Sequence, residues 1–421
     1  PRYTLIEALP YDRPNTSMAA FPLCGECEAE YRDPGNRRFH AEPVACPTCG
    51  PRLTFSAPGE PDITRSDDAL EAAVEAIREG RVVAVKGIGG YHLLCDARNA
   101  NAVGVLRQRK HRPDKPLAAM FPVEGADGLD VARQFVRFEM DEADRVAGPV
   151  RPIMLARRRP DCALADNVAP GLNEIGVFLP YSPLHQLVLD RLLSPVVATS
   201  GNISGEPVLT DNDEATRRLA DIADAFLHHD RPIVRPADDP VFRRIAGKSR
   251  PLRIGRGCAP RELSIPWSQE RPLLAVGGHM KGTVALAWND RVVVSPHIGE
   301  MDSPRSFAVF EQVTRDLQSL YGIAAGHIAS DAHPGYTTHK WAHAQGLPVV
   351  DIWHHHAHAS AVVAEVGGAG PWLNFTWDGV GLGEDGTLWG CLLYTSDAAD
   401  DRYKVLMWVG GGGCEWGGGG G

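Results

Sequence analysis

Basic residues and glycines collect between Arg81 and Pro122 in a pattern that suits anion binding. A run typical of a buried strand, residues 82–85, leads into Lys86, Gly87, Gly89 and Gly90. A helix predicted over residues 100–109 is followed by Lys110, Arg112 and Lys115. Glycines let a backbone approach a phosphate closely, and fixed cations neutralise its charge. The pattern therefore predicts a phosphate site; a solvated basic helix end is the alternative.

A second stretch, residues 194–207, has polar groups that suit the same ligand. Its apolar half predicts a buried strand, which ends in a loop containing Thr199, Ser200 and Asn202. Hydroxyl and amide groups at the end of a strand can bind an oxyanion and a ribose. Further along, Arg235, Arg253 and Arg256 are predicted to bind phosphate, because guanidinium groups bind it in a bidentate manner. The pair His228–His229 is predicted to lie in a surface turn, with a metal site as the alternative.

The pairing of Lys110-x-Arg112 with Ser200-x-Asn202 resembles the signature of the YrdC family. The stretches KGIGGYHLLCDA and RQRKHRPDKPLA resemble one subgroup, the HypF carbamoyltransferases of [NiFe]-hydrogenase maturation. The resemblance implies that Lys110, Arg112, Ser200 and Asn202 are the catalytic residues. It also implies that Lys86, Lys115 and Thr199 bind ATP.

Four cysteines near the start of the chain have the spacing of a zinc site. The pairs Cys24–Cys27 and Cys46–Cys49 are each of the CxxC type, and eighteen residues separate them. Two such pairs offer four thiolates to one tetrahedral ion, which leaves no position for a substrate. We therefore expect structural zinc, whose binding contributes folding free energy; unligated or disulfide-bonded cysteines are the alternative. The segment resembles the second four-cysteine finger of HypF.

A glycine turn between two predicted strands marks a second nucleotide-binding candidate. The residues concerned are Gly277, Gly278, Lys281 and Thr283. They resemble the phosphate-loop hairpin of ASKHA ATPases, which implies that these four residues bind ATP. Two later stretches, DAHPGY and HHHAH, strengthen the prediction because each follows a predicted strand.

His354 and His358 are four residues apart, so on a helix they lie on one face and can share a metal. His355 and His356 point elsewhere and are predicted to pack or to support the ligands. Asp378, before a glycine-rich turn, offers the oxygen ligands that suit a metal or Mg-nucleotide. These stretches resemble the TsaD-like domain of HypF, which implies that His354, His358 and Asp378 bind a metal, of unassigned identity, that holds the ATP phosphates. In that family a further acidic ligand comes from the C-terminal half, so we expect this site to be incomplete.

Composition limits the classes of protein to consider. The chain has 421 residues, 43% hydrophobic and 23% charged, which suits two or three globular domains. Its net charge of −10 argues against general nucleic-acid binding. It contains no apolar run of membrane-spanning length, and its N-terminus does not resemble a signal peptide. Four of the nine cysteines occur as CxxC pairs, which favours a reducing compartment, so we expect a cytoplasmic protein with no membrane partner.

The predicted fold is α/β and multidomain. Its parts are a four-cysteine zinc ribbon at 1–63, a YrdC-like twisted α/β sheet domain at 64–262 and a partial ASKHA or TsaD-like α/β domain at 270–391. In the second part, an amphipathic helix with Leu70, Ala73, Val74 and Ile77 on one face precedes the strand at 82–85. Residues 392–421 remain unassigned, and nine of the last twelve are glycine, so we interpret them as a translated sequencing or assembly artefact; a genuine flexible tail is the alternative. By comparison with HypF we also expect an N-terminal truncation.

The resemblance implies a carbamoyltransferase. The family cleaves carbamoyl phosphate, uses ATP with Mg²⁺ to form carbamoyl-adenylate, and passes the carbamoyl group to the C-terminal cysteine of HypE, where it becomes the cyanide ligand. One alternative is threonylcarbamoyl-AMP synthesis, which stand-alone YrdC relatives perform. Another is an RNA-binding zinc module, against which the net charge of −10 argues. A third alternative is an inactive fragment.

Overall fold

The computed structural model describes residues 2–366, 372–390, 392–396 and 404–405, and the side chains of 392–405 are not described. The chain forms two compact units. The first unit comprises Pro1–Arg261 and Ser295–Tyr321, and the second comprises Glu262–Val294 and the residues from Gly322 onward. Residues 295–321 lie in sequence between the two segments of the second unit, but they pack within the first unit.

The first unit is built on one mixed sheet of eleven strands. Its strands are β1 Leu53–Ser56, β2 Val83–Lys86, β3 Tyr91–Asp96, β4 Ala118–Met120, β5 Val136–Arg137, β6 Ile153–Arg158, β7 Glu174–Phe178, β8 Val196–Ser200, β9 Ala225–His229, β10 Val241–Ile245 and β11 Lys248–Arg253. Its helices are α1 Gly25–Arg32, α2 Ser66–Arg78, α3 Ala100–Arg109, α4 Met140–Ala147, α5 Pro183–Leu192, α6 Asn212–Arg218 and α7 Pro304–Tyr321. The strand order is β1-β9-β2-β3-β8-β4-β7-β6-β10-β11, and β5 pairs with β6. The sheet confirms the predicted α/β class.

Side chains of this sheet enter two hydrophobic clusters, because successive residues of a strand point to opposite faces. Val83 and Val85 of β2 pack in one cluster, and Ala84 packs in the other. Helix α2 covers the first cluster with the predicted face of Leu70, Ala73, Val74 and Ile77, all of which are buried. The helix ends before Gly80, whose φ of +84° favours glycine. Helix α3 covers the opposite cluster with Val103 and Leu106. Strand β2, which leads into the predicted glycine turn, is thereby packed on both faces.

The segment before β1 has a small core and is organised by polar contacts. Arg13 is 8% exposed and donates to the carbonyl oxygens of Glu42 (2.6 Å), Val44 (2.7 Å) and Phe21 (2.6 Å). Tyr31 donates to the carboxylate of Glu42 at 2.8 Å. The buried guanidinium therefore ties together the chain on both sides of α1, which carries Cys27.

The second unit contains β12 Arg261–Ala275, β13 Ala285–Val294, β14 His327–Asp331, β15 Val349–Ile352, β16 Trp372–Thr376, β17 Gly381–Leu382, β18 Leu388–Trp389, β19 Leu392–Ser396, β20 Lys404–Val405, α8 Thr337–Ala344 and α9 His354–Val366. Its main sheet has the order β13-β12-β14-β15, and β14 is parallel to both neighbours. The carboxyl ends of β14 and β15 thus bring Asp331 and His354 to one edge.

Part of the tail that we left unassigned belongs to the second unit. Strand β19 pairs with β16 in antiparallel register, and β20 pairs with β19. The artefact interpretation refers to the whole of 392–421, of which residues 397–403 and 406–421, including the glycine run, lie outside the described residues. Within the described part of the chain, no helix combines the length and the apolar character that crossing a membrane requires.

Candidate active sites and metal centres

Lys110 connects the end of α3 to the loop after β8. Helix α3 begins at a cap in which Asn99 accepts from the backbone of Asn101 and Ala102, and Lys110 is its C-cap residue. The Lys110 ammonium donates to the carbonyl oxygens of Ser200 and Asn202 and, at 2.8 Å, to Oδ1 of Asn202. The Ser200 hydroxyl donates to the same Oδ1 at 2.7 Å. Three of the four predicted catalytic residues are thus joined by hydrogen bonds.

Arg112, the fourth, lies beside Thr199. Its Nη1 donates to the Thr199 hydroxyl at 3.3 Å, and its Nη2 donates to the carbonyl oxygen of Pro116 at 2.5 Å. Lys115 is exposed and supplies its carbonyl oxygen to Nε of Arg112 at 3.3 Å. Arg253 donates from Nε and Nη2 to the carbonyl oxygen of Asp239, at 3.0 and 2.8 Å. The charge of Arg253 acts on both Arg112 and Lys115, so Lys115 and Arg253 belong to the same basic region as Lys110 and Arg112.

The pKa values of this region show that its positive charge is incompletely compensated. Burial, reinforced by the charge of Arg112, lowers the pKa of Lys110 to about 7. Burial also lowers the pKa of Arg112 to about 10, and the charges of Arg107 and Arg253 add to this effect. The pKa of Lys115 is lowered too, by partial desolvation although the residue is largely exposed, and then by the charges of Arg112 and Arg253. Cations packed against one another favour an anionic ligand, because its charge relieves their repulsion.

Two predicted phosphate ligands have structural partners instead. Arg235 is 3% exposed, forms an ion pair with Asp316 of α7 (2.5 Å), and donates to the carbonyl oxygens of Tyr3 and Ile6. Arg235 therefore fastens α7 and the N-terminal segment to the sheet of the first unit. Its contacts argue against the prediction that it binds phosphate, because its donors are buried and engaged.

Arg256 is likewise 3% exposed and enclosed by protein groups. It forms a 2.5 Å ion pair with Asp239, donates to the carbonyl oxygens of Val150 (2.8 Å) and Arg151 (2.9 Å), and lies over the ring of Tyr181. These contacts again argue against a phosphate-binding role and indicate that Arg256 fixes the loop after β11.

Lys86 lies in a separate buried polar cluster. Its ammonium donates to Oδ1 of Asn212 (2.6 Å) and to the carbonyl oxygen of His229 (3.1 Å), and burial lowers its pKa to about 8. His228 shares a 2.6 Å hydrogen bond with the hydroxyl of Tyr91. Both histidines are buried in β9, so the prediction that they occupy a surface turn is wrong. None of these hydrogen bonds joins Lys86 to the Lys110 group, and the role of Lys86 as an ATP ligand stays a prediction.

The four predicted cysteines converge as a zinc site requires. All four are free, and their sulfur atoms lie within 4.8 Å of one another. The Sγ of Cys46 is 3.6 Å from that of Cys24 and 3.7 Å from that of Cys49. Thiolates bound to tetrahedral zinc at about 2.3 Å lie about 3.8 Å apart, so the spacing fits the ion. Hydrogen bonds from the backbone of Cys49 and Thr48 lower the pKa of Cys46 to about 6, which favours the thiolate.

His354, His358 and Asp378 form a second cluster of potential ligands. Nε2 of His354 is 2.8 Å from Oδ2 of Asp378, and Nε2 of His358 is 3.7 Å from the same oxygen. Among the residues that the structure describes, this buried Oδ2 has no hydrogen-bond partner. A buried carboxylate oxygen facing two imidazole nitrogens fits a divalent metal ion, which would bind all three atoms.

Asp331 orients one of these ligands, a role that the sequence analysis missed. Nδ1 of His354 is 2.6 Å from Oδ2 of Asp331, and this contact raises the pKa of His354. A carboxylate that accepts from one nitrogen leaves the other nitrogen aimed at a metal. In the sequence, the position of Asp331 at the start of DAHPGY, directly after a predicted strand, was the signal for this supporting role.

His355 is buried and shares a 2.8 Å hydrogen bond with the carbonyl oxygen of Gly390, which confirms its predicted packing role.

The predicted phosphate loop borders this cluster. Gly277 has a φ of +66°, and Thr338 donates to its carbonyl oxygen at 3.2 Å. A Cβ at Gly278 would lie 3.5 Å from Oδ2 of Asp331 and 3.7 Å from Cε1 of His354, which are ordinary van der Waals distances and place the loop beside these two side chains. Lys281 and Thr283 lie in the same loop, between β12 and β13, and Lys281 is exposed. The roles of all four as ATP ligands stay predictions.

Comparison with known proteins gives three matches along the chain. Residues 23–56 match a family described as HypF finger, residues 75–255 match the Sua5, YciO and YrdC family described as telomere recombination, and residues 268–365 match a family described as HypF Kae1-like domain.

Proteins that match nearly the whole chain agree with these three segment matches. The chain is 46% identical to carbamoyltransferase HypF of Synechocystis sp., over 93% of this chain and 50% of that protein. It is 41% identical to carbamoyltransferase HypF of Rhodobacter capsulatus, over 97% of this chain and 54% of that protein. A crystal structure of full-length HypF in a phosphate- and nucleotide-bound form matches with a TM-score of 0.88 and 37% identity, over 94% of this chain and 51% of that chain. The chain thus spans about half the length of these relatives. With its finger, YrdC-like and Kae1-like segments in this order, the chain belongs to the HypF family.

Proposed function

We propose that the chain is an ATP-dependent carbamoyltransferase that forms carbamoyl-adenylate in its first unit and transfers the carbamoyl group through its second. The observation that carries the proposal is the group formed by Lys110, Ser200 and Asn202, with Arg112 beside it. In the whole HypF protein the carbamate comes from carbamoyl phosphate, and the acceptor is the C-terminal cysteine of HypE. We extend both assignments to this chain as part of the proposal.

In the proposed adenylation, a carbamate oxygen attacks the α-phosphorus of ATP, and the bond to the leaving pyrophosphate breaks. Lys110 and Arg112 hold the phosphate charge as it moves to pyrophosphate, because fixed cations stabilise developing charge at no cost in reorganisation. The hydrogen bonds between Lys110 and the Ser200–Asn202 loop keep the ammonium in place before the nucleotide arrives. Ser200 and Asn202 orient the nucleotide. Lys115 and Arg253 are proposed to contact the phosphate tail, since they share the basic region.

In the second unit, His354, His358 and Asp378 are proposed to hold a metal ion, and Asp331 fixes the ring of His354. When bound, such an ion supplies positive charge that neutralises adenylate or ATP phosphates. The loop containing Gly277 and Gly278 is proposed to contact the phosphate as well, because Gly278 lies beside Asp331 and His354. The thiolate of the acceptor cysteine then attacks the carbamoyl carbon, and AMP leaves.

ATP–pyrophosphate exchange with added carbamate tests the proposal directly, because carbamate bypasses the cleavage of carbamoyl phosphate. We expect exchange in the wild-type chain and its loss in Lys110→Ala, which removes the donor to Ser200 and Asn202. Lys248→Ala is a matched control, since it removes an exposed lysine of β11. Equal exchange in Lys110→Ala and Lys248→Ala would contradict the role of Lys110.

A further inference from the structure

His339, His343 and Asp351 form a ligand cluster that the proposed reaction does not use. His339 and His343 are four residues apart on α8, and Asp351 is in the neighbouring strand β15. One nitrogen of each ring and one carboxylate oxygen lie within 4.8 Å of one another. Both rings approach the same oxygen, because Oδ1 of Asp351 is 3.0 Å from Nε2 of His343 and 3.5 Å from Nδ1 of His339.

The 3.0 Å separation between Nε2 of His343 and Oδ1 of Asp351 is one that two ligands of a single metal ion can have, and His339 offers a third ligand through its Nε2. Donor atoms bound at about 2.0–2.1 Å in a tetrahedral or octahedral shell lie about 3.0–3.4 Å apart. The two imidazole rings are also close, with centroids 4.3 Å apart, so both converge on the carboxylate from one helix face. Two cationic rings so close would repel each other, whereas two neutral rings and a carboxylate are suitable ligands for one ion.

The backbone of Asp331 supports the cluster as a metal site requires. Nδ1 of His339 donates to the carbonyl oxygen of Asp331 at 2.9 Å. A carbonyl oxygen accepts only, so Nδ1 carries the hydrogen and Nε2 of His339 keeps its lone pair. Histidine ligands commonly donate their other ring nitrogen to a backbone carbonyl in this way. Because the Asp331 side chain holds His354, the same residue supports both clusters, although they share no ligand.

We propose that His339, His343 and Asp351 form a second site in this unit for a divalent transition-metal ion such as Zn²⁺ or Ni²⁺. Imidazole and carboxylate ligands select ions of this class over Mg²⁺. The ion takes the lone pair of Nε2 of the neutral His343 ring, whose hydrogen is then on Nδ1, and the contact between His343 and Asp351 is replaced by two bonds to the metal. His343 and Asp351 are 45% and 43% exposed, so water completes the coordination and the ion exchanges readily.

The test uses the full chain, stripped with a mild chelator and titrated with Zn²⁺ by calorimetry. A variant with His354→Gln and His358→Gln should still bind one ion in addition to that of the four cysteines. Adding Asp351→Asn and His343→Gln should weaken this binding at least about tenfold. Both residues are exposed, so we expect the melting temperature to remain unchanged. His327→Gln, which replaces another histidine of the same unit, is the matched control.

Loss of all added Zn²⁺ binding in the folded His354→Gln, His358→Gln variant would overturn the proposal. So would equal affinity after Asp351→Asn and His343→Gln are added. Cu²⁺ electron paramagnetic resonance on otherwise wild-type protein provides a second measurement that does not depend on the first variant. In this measurement, His343→Gln should remove one of the Cu²⁺ signals that show coordination by nitrogen. An unchanged spectrum would also overturn the proposal.

Discussion

Raising the pH from 7 to 9 tests whether the charge of Lys110 holds the nucleotide. Burial and the neighbouring Arg112 lower the pKa of Lys110 to about 7 in the unliganded protein. The ammonium is therefore about half populated at pH 7 and about 1% populated at pH 9. Bound phosphate stabilises the charged form and raises the pKa of Lys110 in the complex. Nucleotide binding at high pH must therefore take up a proton, and affinity falls as the pH rises.

The magnitude follows from the pKa of the unliganded protein. If the pKa of Lys110 exceeds about 10 in the complex, the dissociation constant scales as 1 + 10^(pH − 7), which is about 2 at pH 7 and about 100 at pH 9. ATP should thus bind about 50-fold more weakly at pH 9 than at pH 7. The terminal phosphate, with a pKa of about 6, stays ionised over this range. Arg112, with a pKa of about 10, stays mostly charged.

The assay is competition of ATP with a fluorescent nucleotide at pH 7, 8 and 9 and constant ionic strength, because salt also weakens phosphate binding. Lys110→Arg is the control, since a guanidinium in place of the ammonium stays charged over most of this range. Its affinity should change less than about threefold. A flat profile in the wild-type chain, or the same steep profile in Lys110→Arg, would refute the reasoning.

Three further predictions concern the metal sites and the contacts of the first unit. Cys46→Ser should release zinc and make residues 1–56 the first to be cleaved in limited proteolysis; retention of one zinc per chain would contradict a four-thiolate site. Asp331→Asn should weaken metal binding at His354 and His358 about 10- to 100-fold in equilibrium dialysis, because the His354 ring loses its carboxylate partner; unchanged affinity would show that this contact is dispensable. Arg235→Met should lower the free energy of unfolding by about 2–4 kcal/mol, since the ion pair to Asp316 is largely buried, while ATP affinity changes less than about twofold. Denaturant titration and nucleotide competition check the last prediction, and a selective loss of ATP affinity would restore the phosphate-binding interpretation of Arg235.

Short-range patterns predicted the parts of the sites whose ligands are close in sequence. The CxxC pairs and the His354–His358 spacing are such patterns, because a turn or one helix places both members. The face of α2 was predictable for the same reason. The convergence of Lys110 with Ser200 and Asn202 links positions about ninety residues apart, and only the family resemblance suggested it.

Long-range partners explain what the sequence did not predict. Arg235 resembles a phosphate ligand until its partners are known, and these lie 81 residues later at Asp316 and 229 residues earlier at Ile6. His228 and His229 looked like a surface turn because no local pattern showed that β9 lies between β1 and β2. Asp331 supports His354 across 23 residues, through the parallel pairing of β14 with β15. In each case the tertiary contact decides the role of the side chain.

The most direct test of the proposed function is to identify the adenylate that the chain makes. The chain would be incubated with ATP, Mg²⁺ and pyrophosphatase, together with either carbamate or threonine plus bicarbonate, and the products analysed by mass spectrometry. We expect carbamoyl-AMP with carbamate and no threonylcarbamoyl-AMP with threonine. Formation of threonylcarbamoyl-AMP in place of carbamoyl-AMP, by folded chain, would contradict the proposal and assign the first unit to the other reaction of YrdC-like proteins.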